Sequence, residues 1–301
     1  MKGLISSIQR YSLRDGPGIR STVFMMGCNL HCQWCSNPEL ISDRPKVMVF
    51  TNKCTGCGAC LTIDTDHALS LDKTTLSFDP TKDLTPFIAV CPAKVVVLVG
   101  ETIEASELAQ ILLRDRLFYE KSGGGVTFSG GEPMLQSEFI LETARLLKSE
   151  GISITIDTAG NVDYASFETL NPVVDEYLYD LKIIEAERHE HYTGVNNRLI
   201  LENLQKLIDD HKTVTLRMVI IPGINDRPEY FLSRIETLSH YQNKIKRIDL
   251  LGYHRLGVGK YRALGQAYLL NDSVAFNMES TKTFIDRLTE MGFDVHLEQA
   301  T

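Results

Sequence analysis

The sequence is short of basic residues, has one tryptophan, and contains no long apolar run. Each shortage closes off a class of function. Lys and Arg total 31 against 39 Asp and Glu, a formal net charge of -8 at pH 7. A surface of that sign repels phosphate backbones, so nucleic-acid binding is not expected. A protein partner with a locally basic face is still allowed. No apolar stretch approaches the ~20 residues that span a bilayer. The opening MKGLISSIQRYSLRDGPG meets charges too early for a secretory signal. Repeats and low-complexity segments are missing too. A cytoplasmic chain without membrane contact is expected.

The seven cysteines are an odd number, and six fall in two tight triplets, Cys28/Cys32/Cys35 and Cys54/Cys57/Cys60. In a reducing compartment such clustering points to metal or redox chemistry rather than disulfides.

Beyond the cysteine-rich first third, β-rich runs alternate with helical periodicity. KVVVLVG (94–100) reads as a strand and ASELAQILLRDRLFYEKS (105–122) as one helix. Strand–helix pairs follow to the end, closing with a helix over 273–292 and FDVHLE as an edge strand. Counting RSTVFMMG as the first strand gives about six units, joined by right-handed crossovers. That is fewer than the eight of a closed barrel. The expected fold is α/β, a partial (β/α)6 barrel. Its core takes residues 1–45 and 101–301, with 46–100 as an insert between the first and second units.

Polar residues recur at the ends of successive strands. Cys28–Cys35 follow the first, SGGEP (129–133) the second, and Asp157 ends the third. DLK (180–182), the run from Arg217 and YHR (253–255) close the next three. Strand C-terminal ends share one face in such folds, where barrel active sites form. Each residue alone has a plain reading as a cap, a turn or strand-end solvation.

GCNLHCQWCSNPE spaces its thiols as Cys28-x3-Cys32-x2-Cys35. Three thiolates can hold three irons of a 4Fe–4S cube and leave the fourth open, which a catalytic metal site needs. The alternative is zinc held by the three cysteines and completed by His31 or another residue. With Trp34 just before the last cysteine, the motif resembles the radical S-adenosylmethionine superfamily. That resemblance implies that the amino acid end of S-adenosylmethionine chelates the open iron. One electron then breaks its sulfonium bond and a 5′-deoxyadenosyl radical forms. Trp34 is expected near the adenine. Ser129, Gly130, Gly131 and Glu132 are expected around the methionine end, since glycine turns let backbone approach a ligand. Asp157, Asp180, Lys182 and His254 are expected at the ribose and carboxylate, with Arg217 as a further candidate.

The set YSLRDGPGIRSTVFMMGC, SGGEP, DLK, HYTGVNNRLILENL, RMVIIPGIND and LLGYHRLGVGKYRALG resembles the glycyl-radical-enzyme activases over roughly residues 5–297. The resemblance implies a protein substrate, a glycyl radical enzyme, whose glycine Cα loses a hydrogen to the adenosyl radical. A flavodoxin or ferredoxin is implied as electron donor. It also implies that Asp15 and Gly16 in the DGPG loop, with Arg20, lie near the target peptide; a simple turn is the alternative. Two readings of other classes compete: a radical enzyme acting on a small molecule, and a non-catalytic iron–sulfur electron carrier.

Many such activases carry a ferredoxin-like insert with two C-x2-C-x2-C-x3-C-P motifs, and the fourth cysteine of each motif ligates the other cluster. Here Asp64 stands where the fourth cysteine of the first motif belongs. Only the terminal Cys91-Pro92 of the second survives, with Thr81, Leu84 and Phe87 in place of its trio. The crossed scheme leaves one complete set, Cys54, Cys57, Cys60 and Cys91. One auxiliary 4Fe–4S cluster acting as an electron relay is expected. Asp64 as a ligand, or zinc in the four thiolates, are the rivals.

Overall fold

The computed structural model describes residues 1–270, 276 and 279–298. The chain opens with β1 (Lys2–Ser12) and β2 (Arg20–Met25). The insert follows: β3 (Lys46–Val49), β4 (Leu69–Asp72), β5 (Thr75–Phe78), the short α1 (Phe87–Val90) and β6 (Val96–Val99). After β7 (Glu101–Glu104), α2 (Ala105–Leu113) and α3 (Arg116–Ser122), alternation is regular. It runs β8 (Gly125–Gly130), α4 (Ser137–Ser149), β9 (Ser153–Thr158), α5 (Tyr164–Leu170) and β10 (Glu176–Asp180). Then come α6 (Ala186–Thr193), α7 (Arg198–Asp209), β11 (Val214–Ile220) and α8 (Pro228–Ser239). The end is β12 (Arg247–Gly252), α9 (Val258–Ala263), α10 (Glu279–Glu290) and β13 (Val295–Glu298). Most of 273–278, expected to start the last helix, lies outside the described residues.

One nine-stranded sheet carries the fold, in the order β13-β12-β11-β10-β9-β8-β2-β1-β7. From β2 to β13 every neighbouring pair is parallel. β1 and β7 add an antiparallel margin, and the sheet does not close.

A parallel sheet covered by helices on both faces reads as continuous apolar runs. These strands alternate instead. Val23, Val126, Phe128, Ile154, Ile156, Leu216, Met218, Ile248 and Leu250 are fully buried on one face, against the helices. Their neighbours Thr22, Thr127, Ser129, Thr155, Asp157, Thr215 and Arg217 point the other way. The second face is therefore polar, and it bears the site.

Several elements differ from the sequence reading. The helix expected over 105–122 is broken in two at Asp115. That carboxylate is buried and accepts bonds from Arg10 Nη1 (3.1 Å) and Ser21 Oγ (2.9 Å), which tie it to the sheet margin. The first and longest strand, β1, was not anticipated, nor was β7, which returns the chain from the insert to the sheet edge. The insert forms two small antiparallel sheets, β3–β6 and β4–β5, around its own apolar cluster of Val49, Leu69, Leu76, Leu84, Phe87 and Val96. No helix among the described residues is long and apolar enough to cross a membrane.

Candidate active site

Cys28, Cys32 and Cys35 sit in the loop after β2, on the wall of a cavity of about 230 Å³ at the C-terminal ends of the parallel strands. Trp34, Ser129, Gly130, Gly131, Asp157, Asp180, Lys182 and His254 line the same cavity. Residues more than two hundred positions apart thus share one space because the strand ends share one edge.

The cysteine loop is held by backbone and by motifs whose function the sequence did not reveal. His31 N–H donates to Thr193 O (2.7 Å) and Gln33 N–H to Tyr192 O (3.0 Å), so the HYTG segment grips it from one side. From the other side, a Cβ on Gly257 would meet Cys35 O at 2.7 Å, and Lys260 Nζ reaches Asn37 Oδ1 (2.6 Å) and Glu39 Oε1 (2.5 Å). Leu30 N–H and Asn37 N–H point at Cys28 Sγ (3.5 Å) and Cys35 Sγ (3.4 Å).

Burial pushes the Cys28 and Cys32 thiols up to about 12, and raises Cys35 as well. Thiolates in such a place need a cationic partner; a bound metal deprotonates a coordinating thiol outright. Among the described residues no three His, Cys, Asp or Glu side chains are drawn together tightly enough for a single metal ion. The cysteines are spread around a cavity instead, and the donor set fits a cube with one iron left for a further ligand.

The glycine turn after β8 meets this loop directly. A Cβ on Gly131 would lie 2.2 Å from Gly27 O, and Gly130 holds φ +110° with Met25 backbone at 2.6 Å. Glu132 is placed differently from the expectation. Its fully buried carboxylate does not line the cavity. It accepts bonds from Thr158 Oγ1 (2.6 Å), Ala159 N (2.9 Å) and Met134 N (3.1 Å), clamping the end of β8 to the end of β9.

Burial pushes the Glu132 carboxyl up from 4.5 to about 7, against those three bonds. Its contribution to stability is therefore full below about 4.5 and is lost as pH rises through about 7. Glu132→Gln leaves the Ala159 amide facing a second donor, and is expected to destabilise the fold by about 1–3 kcal/mol. Thermal melts across this pH range check both points: the variant should melt lower and lose the pH dependence.

Asp157 accepts from Ser129 Oγ (2.7 Å) and pairs with Arg217 at 3.0 Å. Burial raises the Asp157 carboxyl, while Arg217 opposes it. Arg217 does not line the cavity; it acts through Asp157. Lys182 pairs with Asp180 at 2.6 Å; burial lowers its ammonium, but Asp180 together with Cys32 and Asp157 raises it and keeps it charged. The Lys182 carbonyl accepts from Asn225 Nδ2 (3.3 Å) and Arg234 Nη2 (2.8 Å), which gives the PGIND segment a positioning task. Burial lowers His254, favouring its neutral form. Trp34 is buried in an apolar group with Ile183, Ile221, Ile224 and Tyr253.

The DGPG loop lies across the same polar face, below the cavity. Asp15 Oδ2 accepts from Thr22 Oγ1 and Ser12 Oγ (2.6 Å each), and Asp15 O accepts from Thr127 Oγ1 (2.5 Å). Gly16 (φ +117°) packs beside Arg20 and Thr155. Arg20 is fully buried, its guanidinium donating to Thr127 Oγ1 (2.7 Å), Val126 O (2.6 Å), Pro17 O and Ser153 O (3.2 Å each). It is placed as a brace for the loop rather than as a surface for a peptide.

In the insert, Cys54, Cys57, Cys60 and Cys91 line one small cavity, walled by Leu69, Leu71, Leu76, Val95 and Val96. Gly56 N–H and Val95 N–H point at Cys54 Sγ and Cys91 Sγ (3.4 Å each). Asp64 is not in this cavity. Its carboxylate accepts from Ala68 N (2.9 Å) and Leu69 N (2.8 Å).

Residues 93–235 match the model of the radical SAM superfamily. The chain is 38% identical over 283 residues to the choline trimethylamine-lyase activating enzyme of Oleidesulfovibrio alaskensis, covering 92% of this chain and 91% of that one. It is 36% identical over 296 residues to the (2S)-3-sulfopropanediol dehydratase activating enzyme of Klebsiella oxytoca, covering 96% and 93%. A crystallised domain of a pyruvate-formate lyase-activating enzyme from Bacteroides vulgatus superposes with a TM-score of 0.50 at 25% identity, covering 58% of this chain and 99% of that domain. The chain belongs to the radical SAM superfamily, and within it to the activating enzymes of glycyl radical enzymes. A 4Fe–4S cluster and S-adenosylmethionine are the cofactors of that superfamily.

Proposed function

We propose that this chain is an activating enzyme that installs a glycyl radical in a partner enzyme. The observation that carries the reading is the cavity: three cysteines of one loop, the glycine turn, Asp157, Asp180, Lys182, His254 and Trp34 on its walls. What a bound cluster and S-adenosylmethionine supply is one-electron cleavage of the sulfonium and a 5′-deoxyadenosyl radical.

The chain's own residues do the rest. Cys28, Cys32 and Cys35 would hold three irons of the cluster. Gly131, packed directly on the Gly27 backbone, brings the turn against the cysteine loop beside the methionine end, and Lys182, paired with Asp180, would face the carboxylate. Asp157, fixed by Ser129 and Arg217, and His254 take the ribose side, and Trp34 closes the adenine end with a rigid apolar surface. Asp15 and Gly16, on the polar face beneath, are the peptide-side residues. Glycine suits the product, since an α-carbon without a side chain lets the radical delocalise across flanking amides without a clash.

The finer architecture belongs to the same proposal. The open sheet, with six strand–helix units, is read as a partial barrel. Residues 1–45 and 101–301 form its core, and 46–100 a ferredoxin-like insert holding one auxiliary cluster on Cys54, Cys57, Cys60 and Cys91. A flavodoxin or ferredoxin delivers the electron, in the reducing cytoplasm that free thiols suit.

The test is anaerobic. Reconstituted protein with dithionite and S-adenosylmethionine should yield 5′-deoxyadenosine. With the cognate partner added, the electron paramagnetic resonance signal of a glycyl radical should rise. Deoxyadenosine without any glycyl signal, across lyase, dehydratase and decarboxylase partners, would move the reading to a small-molecule substrate.

A further inference from the structure

The insert places an uncommon charge pattern around its four cysteines. Residues 46–100 hold five lysines and five aspartates, so the insert is neutral in a chain of net charge -8. Three of those lysines stand next to the segments that line the cysteine cavity, without lining it themselves. Lys53 directly precedes Cys54, and its Nζ sits 4.6 Å over the Phe50 ring. Lys73 flanks the Cys54/Cys57/Cys60 triplet, where a Cβ on Gly56 would lie 3.0 Å from Lys73 O. Lys94 N–H donates to Cys91 O at 3.1 Å. All three are exposed, as is Cys57.

Two of these lysines take backbone conformations that lysine avoids: φ is +55° at Lys73 and +50° at Lys94. Glycine or asparagine would occupy such turns at lower cost. The carboxylate nearest in sequence to the cysteines, Asp64, is turned onto the Ala68 and Leu69 amides, while Asp72 stays exposed beside Lys73. Beside Cys60 the chain also exposes two apolar side chains, Leu61 (41%) and Ile63 (39%). Exposed apolar residues rimmed by unlike charge are the pattern of a protein contact.

We infer that this lysine-rimmed face, with Cys57, Leu61 and Ile63 at its middle, is where an acidic one-electron carrier protein docks to reduce the auxiliary cluster. The inference rests on the cluster reading above. A carrier with carboxylates around its cofactor is attracted to these lysines, on a chain whose net charge of -8 otherwise repels it. Steering of this kind sets encounter rate and salt dependence more than packing does. Electron balance is simple: the carrier loses one electron and the cluster gains it, with no bond made or broken.

The experiment compares the full reconstituted protein with a variant carrying Lys53→Glu, Lys73→Glu and Lys94→Glu, using flavodoxin as the probe. Calorimetry should show binding weakened by about tenfold or more, with its decline between ~50 and ~200 mM salt flattened. Stopped-flow reduction by the flavodoxin hydroquinone should slow to match. Iron content, and deoxyadenosine formation with dithionite, should be unchanged. The corresponding glutamine variant should fall between the two, separating charge from folding.

Equal flavodoxin binding and reduction rates in all three proteins would overturn the docking face, leaving the proposed activity intact. Loss of glycyl-radical formation under dithionite, with flavodoxin binding unchanged, would also overturn it, assigning the face to the enzyme being activated. Wild-type protein with about four irons instead of eight would remove the cluster reading itself.

Discussion

Replacing Cys32 by alanine is expected to abolish 5′-deoxyadenosine formation, to below a thousandth of the parent rate, and to remove about four of roughly eight irons. The size of the effect follows from the site. Cys32 lies on the cavity wall between two other thiols, and burial pushes it up to about 12 while Lys182 pulls the other way. A thiol so placed is a poor anion by itself, and its thiolate form depends on the metal. With two cysteines left, the cube loses one of only three anchors. The fold should survive: the loop is gripped by the Thr193 and Tyr192 carbonyls and by Lys260, none of which involves the Cys32 side chain. Iron and sulfide analysis beside a product assay checks the result. Full iron content with lost activity would mean that Cys32 is not a ligand.

The second large effect separates Cys91 from Asp64. Cys91→Ala is expected to bring the iron count from about eight to about four while the first cluster still cleaves S-adenosylmethionine with dithionite. Asp64→Ala is expected to keep about eight irons. The two residues compete as the fourth ligand, and the structure places them differently. Cys91 faces Cys54, Cys57 and Cys60 across one apolar cavity. Asp64 accepts two amide bonds outside it, so its loss should loosen the turn before β4 and lower the melting temperature without releasing metal. Four irons in the Asp64 variant and eight in the Cys91 variant would reverse the assignment. Zinc in place of iron would replace the cluster altogether.

Much of this site was legible in the sequence, for a physical reason. Parallel strands bring their C-terminal ends to one edge, so polar residues read one at a time at strand ends converge in space. Cys28, Gly131, Asp157, Asp180, Lys182 and His254 were found that way, and all line one cavity. Other features leave no periodic signal. Glu132 stands in a motif that suggests ligand contact, yet its partners are Thr158 and Ala159, decided only when β8 and β9 pair. Arg20 reads as a peptide-side cation, yet it is fully buried, its guanidinium held by Thr127 and the Val126 carbonyl. Asn197, Asn203 and Asn225 act by donating to backbone carbonyls of distant loops, among them Ile183, Gly160 and Lys182, and no spacing rule picks out such an asparagine. The break at Asp115 escaped the helical pattern because a tertiary bond outweighs local propensity there.

The radical made at the three-cysteine cavity is expected to take its hydrogen from a glycine α-carbon of another protein. The mass of 5′-deoxyadenosine recovered after turnover with a partner enzyme whose glycines carry deuterium at Cα tests this. Product one mass unit heavier is expected, appearing together with the glycyl signal. Product of unchanged mass beside an activated partner would contradict it.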